Sequence, residues 1–148
     1  IDNISTLQGK KVAVVKDTTT IVALKDALKD ALTEAEVVPV GSAADGLKAL
    51  QEGKVDAFSS DQVVLIGLVL ATENPKGFVV SSQLFSFEPF ALAVRRNDAD
   101  FRLVADRVLS HLNRSRQIVQ IYSHWFGRFS KDVPTAIQAM YAINSTPE

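Results

Sequence analysis

At 148 residues the chain suits one domain, or one domain with an appendage, and is long enough to bury a real core. It is 47% hydrophobic and 22% charged, and sixteen basic against seventeen acidic side chains leave a net charge of -1, so there is no basic excess to suggest a nucleic-acid surface. The lack of cysteine excludes a disulfide framework and a thiolate metal site, and no apolar run reaches the roughly 18 residues of a membrane span.

The chain opens at Ile1-Asp2-Asn3 without a signal-peptide pattern, the start expected of a trimmed or shortened protein. Residues 11–16 (KVAVVK) form a short β-branched run ending in Asp17-Thr18-Thr19-Thr20, which predicts a strand entering a helix cap. From Ile21 the apolar residues fall at Leu24, Leu28 and Leu32, with Ala27 and Ala31 beside them, the recurrence of an amphipathic helix. Residues 36–40 (EVVPV) predict a second strand, with Pro39 favouring an edge position. Ser42 is placed to cap a helix through Leu47 and Leu50, closed by Gly53. Residues 55–58 predict a third strand, Asp61 opens an apolar helix over 62–72, and 77–80 predict a fourth strand after the turn Asn74-Pro75-Lys76. Three alternations of strand and helix in under eighty residues call for an α/β fold, a mainly parallel sheet flanked by helices.

Beyond Glu88-Pro89 the pattern changes. Residues 90–96 (FALAVRR) predict one more strand, and the rest is helical: 99–112 with apolar residues at 101, 104, 108 and 112, then 118–126, then 134–143 with Pro134 in its first turn. Residues 144–148 are expected to fray. The boundary near 86–89 separates an α/β unit, 4–88, from a strand-and-helices unit, 89–148, that is thin for an independent core.

Catalytic patterns are absent from the sequence. His111 and His124 lie on predicted helices without metal-ligand spacing, and no nucleophile elbow, phosphate loop or dinucleotide-binding glycine pattern occurs. Ser59-Ser60 supply hydroxyls, but the same unit holds no histidine to act as their base. The expectation is a non-enzymatic protein without cofactor or metal. In open α/β sheets ligands sit beyond the carboxyl ends of the strands. Thr18, Thr19 and Thr20 stand there at a helix start, where free amides and the positive dipole end favour an anion. Asp61 follows the third strand, where a carboxylate suits an ammonium. An anion-binding and a cation-binding feature on one edge fit a zwitterion such as an amino acid. Each residue also fits a plain helix N-cap worth about 1 kcal/mol, and Asp17 is an awkward neighbour for an anion.

Together, residues 7–14 (LQGKKVAV) with Thr18-Thr19, residues 47–61 (LKALQEGKVDAFSSD), residues 88–94 (EPFALAV) and Trp125-Phe126-Gly127 resemble the periplasmic substrate-binding proteins of polar amino-acid ABC transporters, the type II or family 3 group. Residues 134–148 look most like the glutamate/aspartate-binding branch. The resemblance implies two α/β lobes joined by hinge strands that close on an amino acid. It implies that Thr18 and Thr19 contact the ligand and that Asp61 takes the α-ammonium. Family members commonly carry Gly where Asp17 stands.

The resemblance begins only at the second lobe: 4–88 match that lobe, and 89–148 match the hinge strand and C-terminal helices of the first. The opening part of the first lobe has no counterpart, nor has the arginine that clamps the α-carboxylate. Residues 90–96, expected to cross to the absent sheet, should fill the vacant antiparallel position or pair with another copy in a strand-swapped homodimer. Trp125 is expected to anchor the helices. The function implied is binding of a polar or acidic amino acid in the periplasm, or outside the cell on a membrane anchor, for an ABC transporter permease. The alternatives of the same fold are an amino-acid-sensing module of a receptor or sensor kinase, and a related effector domain of a transcription regulator.

Overall fold

A computed structural model of the chain describes residues 3–81, 83–88, 90–127, 133 and 135–143. The chain divides into two compact units, Ile1–Glu88 and Pro89–Glu148. The expected positions of Pro134 and of the 144–148 tail lie outside the described residues.

The first unit is built on a parallel sheet of three strands in the order β2-β1-β3, with β1 at Lys11–Val15, β2 at Glu36–Val40 and β3 at Ala57–Ser59. Strand β1 pairs along its whole length with β2, and Val12 to Val14 face Ala57 to Ser59 of β3. A central strand covered on both faces needs a continuous apolar run, and Val12, Ala13 and Val14 are buried completely or nearly so. Three helices follow the strands: α1 (Thr19–Asp30), α2 (Ala43–Gln51) and α3 (Gln62–Leu70).

Strand alternation separates the two faces. Val12, Val14, Val37 and Ala57 pack with Leu7, Leu24 and Leu28, so α1 covers one face with the apolar stripe visible in its sequence. Phe58 points to the other face, against α2, where a Cβ on Gly46 would stand 2.4 Å from its ring. Glycine is therefore what lets α2 approach the sheet there.

The helix ends follow local chemistry. Ser42 Oγ accepts the Asp45 N–H at the start of α2 and donates to the Asp45 carboxylate, a reciprocal cap. Gly53, at φ +67°, ends α2 in a left-handed turn in which Lys54 N–H donates to the Ala49 carbonyl. Helix α1 ends the same way, with Thr33 N–H donating to the Leu28 carbonyl, but Leu32 occupies the left-handed position at φ +49°. Leu32 is 92% exposed, so it bears that conformation without a packing return.

Two boundaries differ from those expected. The third strand begins at Ala57 rather than Val55: the Asp56 N–H donates to the Lys11 carbonyl, but the Lys11 N–H goes to the Asp56 carboxylate at 2.8 Å and not to a strand carbonyl. The fourth strand expected over 77–80 does not form. Residues 75–77 make a 3-10 turn, residues 78–81 join no sheet, and the Ser81 carbonyl accepts from the Gln62 side chain instead of from a ladder. Extended propensity alone does not make a strand, which forms only where the chain actually pairs.

The second unit contains α4 (Ala99–Arg114), α5 (Gln117–Phe126) and α6 (Thr135–Ile143), with α4 in contact with both of the others. Asp98 caps α4 by accepting the Phe101 N–H. The expected strand over 90–96 is absent. These residues belong to no sheet, so they do not fill an antiparallel position in the chain, and Phe90 and Leu92 are largely exposed. The predicted stripe of α4 is also uncovered: Phe101, Val104 and Val108 are each more than half exposed. Trp125 does not anchor the helices, being 67% exposed. Tyr122 is buried in its stead, with the Phe126 ring 5.0 Å away. Residues 118, 122 and 126 recur at helical spacing on α5, and Trp125, three residues after Tyr122, lies at the margin of the same face and stays uncovered.

Candidate functional site at the carboxyl edge of the sheet

Because β1 and β3 are parallel neighbours, the loops leaving their carboxyl ends emerge side by side. The first loop carries Asp17, Thr18 and Thr19 into α1, and the second carries Ser60 and Asp61 into α3. The three residues singled out in the sequence are thus brought to one edge of one unit, and all three are exposed there.

Their local bonding bears on the cap explanation. Thr18 occupies the N-cap position of α1, yet its side chain makes no cap hydrogen bond; Oγ1 donates back to the Val15 carbonyl at 2.7 Å. Asp61 occupies the N-cap position of α3, again without a side-chain cap bond. The first-turn amides of both helices are left without the partner that a capping side chain supplies. Among the described residues, the Asp61 carboxylate has no hydrogen bond or ion pair.

Asp17 has φ +59°, the left-handed region where glycine is the easy choice and aspartate one of the better-tolerated alternatives. The turn into α1 is therefore made despite the aspartate, at a conformational cost of roughly 1 kcal/mol. What changes is charge: Asp17 adds a carboxylate beside the amides.

Two further residues at this edge were not identified as ligand contacts in the sequence. Thr19 Oγ1 donates to the Glu88 carboxylate at 2.7 Å. The partners are 69 residues apart, so no local spacing reveals the pair. Ser59, the last residue of β3, is only 8% exposed and its Oγ has no hydrogen-bond partner among the described residues. Alternation places it on the α1 face beside Val14. A buried hydroxyl without a partner costs about 1–3 kcal/mol until a polar group reaches it.

Other features lie elsewhere. A groove of about 440 Å³ is lined by Lys25, Lys29, Thr33 and Glu34 among others, at the far end of α1 from these loops. Lys54 hydrogen-bonds Glu52 beyond α2 and holds that exposed carboxyl below its ordinary value. Among the described residues, no group of three or more His, Asp or Glu side chains is placed to hold a metal, and no helix is long and apolar enough to cross a membrane.

A parallel sheet with helices on both faces, presenting helix starts and an exposed carboxylate at one edge, is an α/β lobe, and its solved structural neighbours give it the periplasmic-binding-protein fold. Its homologues are solute-binding proteins of amino-acid ABC transporters. The L-glutamate/L-aspartate-binding protein of Pseudomonas aeruginosa is 28% identical over 126 residues, which cover 85% of this chain and 42% of that protein. The glutamine-binding protein of a Bacillus subtilis ABC transporter is 26% identical, over 80% of this chain and 41% of its own length. A glutathione-bound periplasmic binding protein of an ABC transporter from Brucella ovis superposes with a TM-score of 0.67 at 26% identity, over 88% of this chain and 41% of that one. The chain therefore spans about two fifths of the length of these relatives, which are binding proteins rather than enzymes. No protein-family model matches it.

Proposed function

We propose that the chain supplies one ligand-binding lobe of a periplasmic solute-binding protein, which holds a polar amino acid by its α-groups for an ABC transporter permease. The first-turn amides of α1, with Thr18 at the N-cap position and the Thr19 hydroxyl, receive the α-carboxylate, and Asp61 receives the α-ammonium. The observation that carries this reading is the convergence, on the carboxyl edge shared by β1 and β3, of two helix starts without side-chain caps and a carboxylate unpaired among the described residues. Anion and cation sites on one rigid edge match the charges of a zwitterion, and helix N-termini bind carboxylates through amides and dipole together.

The unit 4–88 is the second lobe in this reading, and 89–148 holds the hinge segment and C-terminal helices of the first. Single-lobe binding is weak. A bidentate arginine contact contributes on the order of 1.5–3 kcal/mol, so its absence costs roughly ten- to a hundredfold in affinity. Titration of the labelled chain with each of the twenty amino acids, followed by amide NMR, should move the signals of residues 18–21 and 61–63 with a dissociation constant weaker than micromolar. Asp61→Asn should remove the response. Binding that survives both Asp61→Asn and Thr19→Val unchanged would place the ligand elsewhere, and micromolar binding by the chain alone would refute the half-site argument.

The segment 90–96 supports a further element of this reading, a strand-swapped homodimer. Phe90 and Leu92 alternate with small residues in a stretch that belongs to no sheet. Pairing with the same segment of a second copy would satisfy its backbone. Analytical ultracentrifugation should then show a dimer that Leu92→Lys dissociates; a monomer at high concentration overturns the pairing.

A further inference from the structure

We propose that Glu88 is a built-in competitor for the carboxylate site at the start of α1 and that it sets the affinity of that site. This rests on the assignment of the first turn of α1 as the place of the ligand carboxylate. A threonine hydroxyl has one proton to donate. In this chain that proton goes from Thr19 Oγ1 to Glu88 Oε2 at 2.7 Å. A ligand carboxylate that takes the Thr19 hydroxyl must first displace Glu88, and it then shares the edge with the released carboxylate and with Asp17.

Glu88 is the last residue of the first unit, so the chain folds its own acidic group onto the helix start from a distant point in sequence. Both partners are exposed, so water can replace either one. Long-range repulsion is screened at such a site, but competition for a single proton is not. The Thr18 hydroxyl offers no substitute, since its proton is already donated to the Val15 carbonyl. A ligand arriving while Glu88 holds Thr19 is therefore left with the backbone amides alone. Every amino acid carries the same α-carboxylate, so the effect is on affinity in general and not on the choice of side chain.

The test is an amide NMR titration of the chain with L-glutamine, comparing Glu88→Ala, Glu88→Gln, Thr19→Val and the Thr19→Val/Glu88→Ala pair. Glu73→Ala, an equal loss of charge away from this edge, serves as the control. Loss of a charge-assisted competing hydrogen bond should tighten binding by Glu88→Ala roughly three- to tenfold, with Glu88→Gln between it and the parent chain. The gain should vanish in the Thr19→Val background and be absent in Glu73→Ala. Equal or weaker binding by Glu88→Ala, with the amides of residues 19–21 still responding, overturns the competition while leaving the site in place. A titration that moves none of those amides in any variant overturns both.

Discussion

The two units use apolar residues very differently. In the first, Val12, Val14, Leu24 and Leu28 are 5% exposed or less and meet in one cluster across a sheet and a helix. In the second, Phe101, Val104 and Val108 recur along α4 at the same helical spacing, yet each is more than half exposed. An amphipathic stripe is an offer of burial, and it becomes a core only where a second layer accepts it. The sheet is that layer for α1. For the first turns of α4, no element among the described residues takes that part.

The largest expected effect tests this contrast directly. Leu24→Ala should lower stability by about 2–5 kcal/mol, as for a fully packed core leucine. Val108→Ala should stay within about 0.5 kcal/mol, as at an uncovered site. Urea denaturation of the two variants decides it: equal losses would mean that the α4 stripe is covered in solution.

Close packing on the sheet predicts the next effect. Gly46→Ala should gain about 1 kcal/mol of helix propensity but drive a methyl group into the Phe58 ring. Overpacking of this kind costs about 1–3 kcal/mol, so the net change should be destabilising. The same substitution in a Phe58→Leu background should recover most of the loss in thermal melts. If Gly46→Ala alone is stabilising, α2 does not sit as close to the sheet as its geometry states.

Smaller effects compare two helix ends that share one geometry. Gly53→Ala should cost about 1 kcal/mol because it places a Cβ in the left-handed position that ends α2. Leu32→Gly should stabilise the end of α1 by a similar amount, about 1 kcal/mol, since the leucine is exposed there. Opposite shifts in denaturation midpoint are the expected result.

The smallest effect concerns Glu52, whose carboxyl is held low first by its hydrogen bond from Lys54 and then by the charges of Lys54 and Lys48. A depressed folded value contributes stability above the unfolded value that is lost as pH falls through the folded one. Lys54→Ala should raise the Glu52 titration midpoint in NMR with little change in melting temperature near neutrality, because the pair is exposed.

Much of the first unit was readable from local signals. The β-branched runs placed β1 and β2, leucines three and four apart placed α1, and Ser42 and Gly53 bracketed α2, because each signal acts within about a turn of chain. The carboxyl-edge loops were readable for the same reason. The strands expected at 77–80 and 90–96 were not realised, since a strand exists only with a partner and pairing is a property of the whole fold. The same limit governs Trp125: helical spacing identifies a helix, but which of its faces is covered depends on what lies opposite.

By itself, then, the sequence determined the order of strands and helices over residues 11–70, the α/β character of the first unit and the identity of Thr18, Thr19 and Asp61 as polar residues at helix starts. Only the tertiary structure decided that β1 and β3 are neighbours and so bring those loops together, that neither Thr18 nor Asp61 caps its helix through its side chain, and that Glu88 reaches Thr19 across 69 residues. The physical reason is range. Propensity and capping act over a few residues, whereas sheet order and the use of a single hydroxyl proton depend on which distant groups the fold brings within hydrogen-bonding distance.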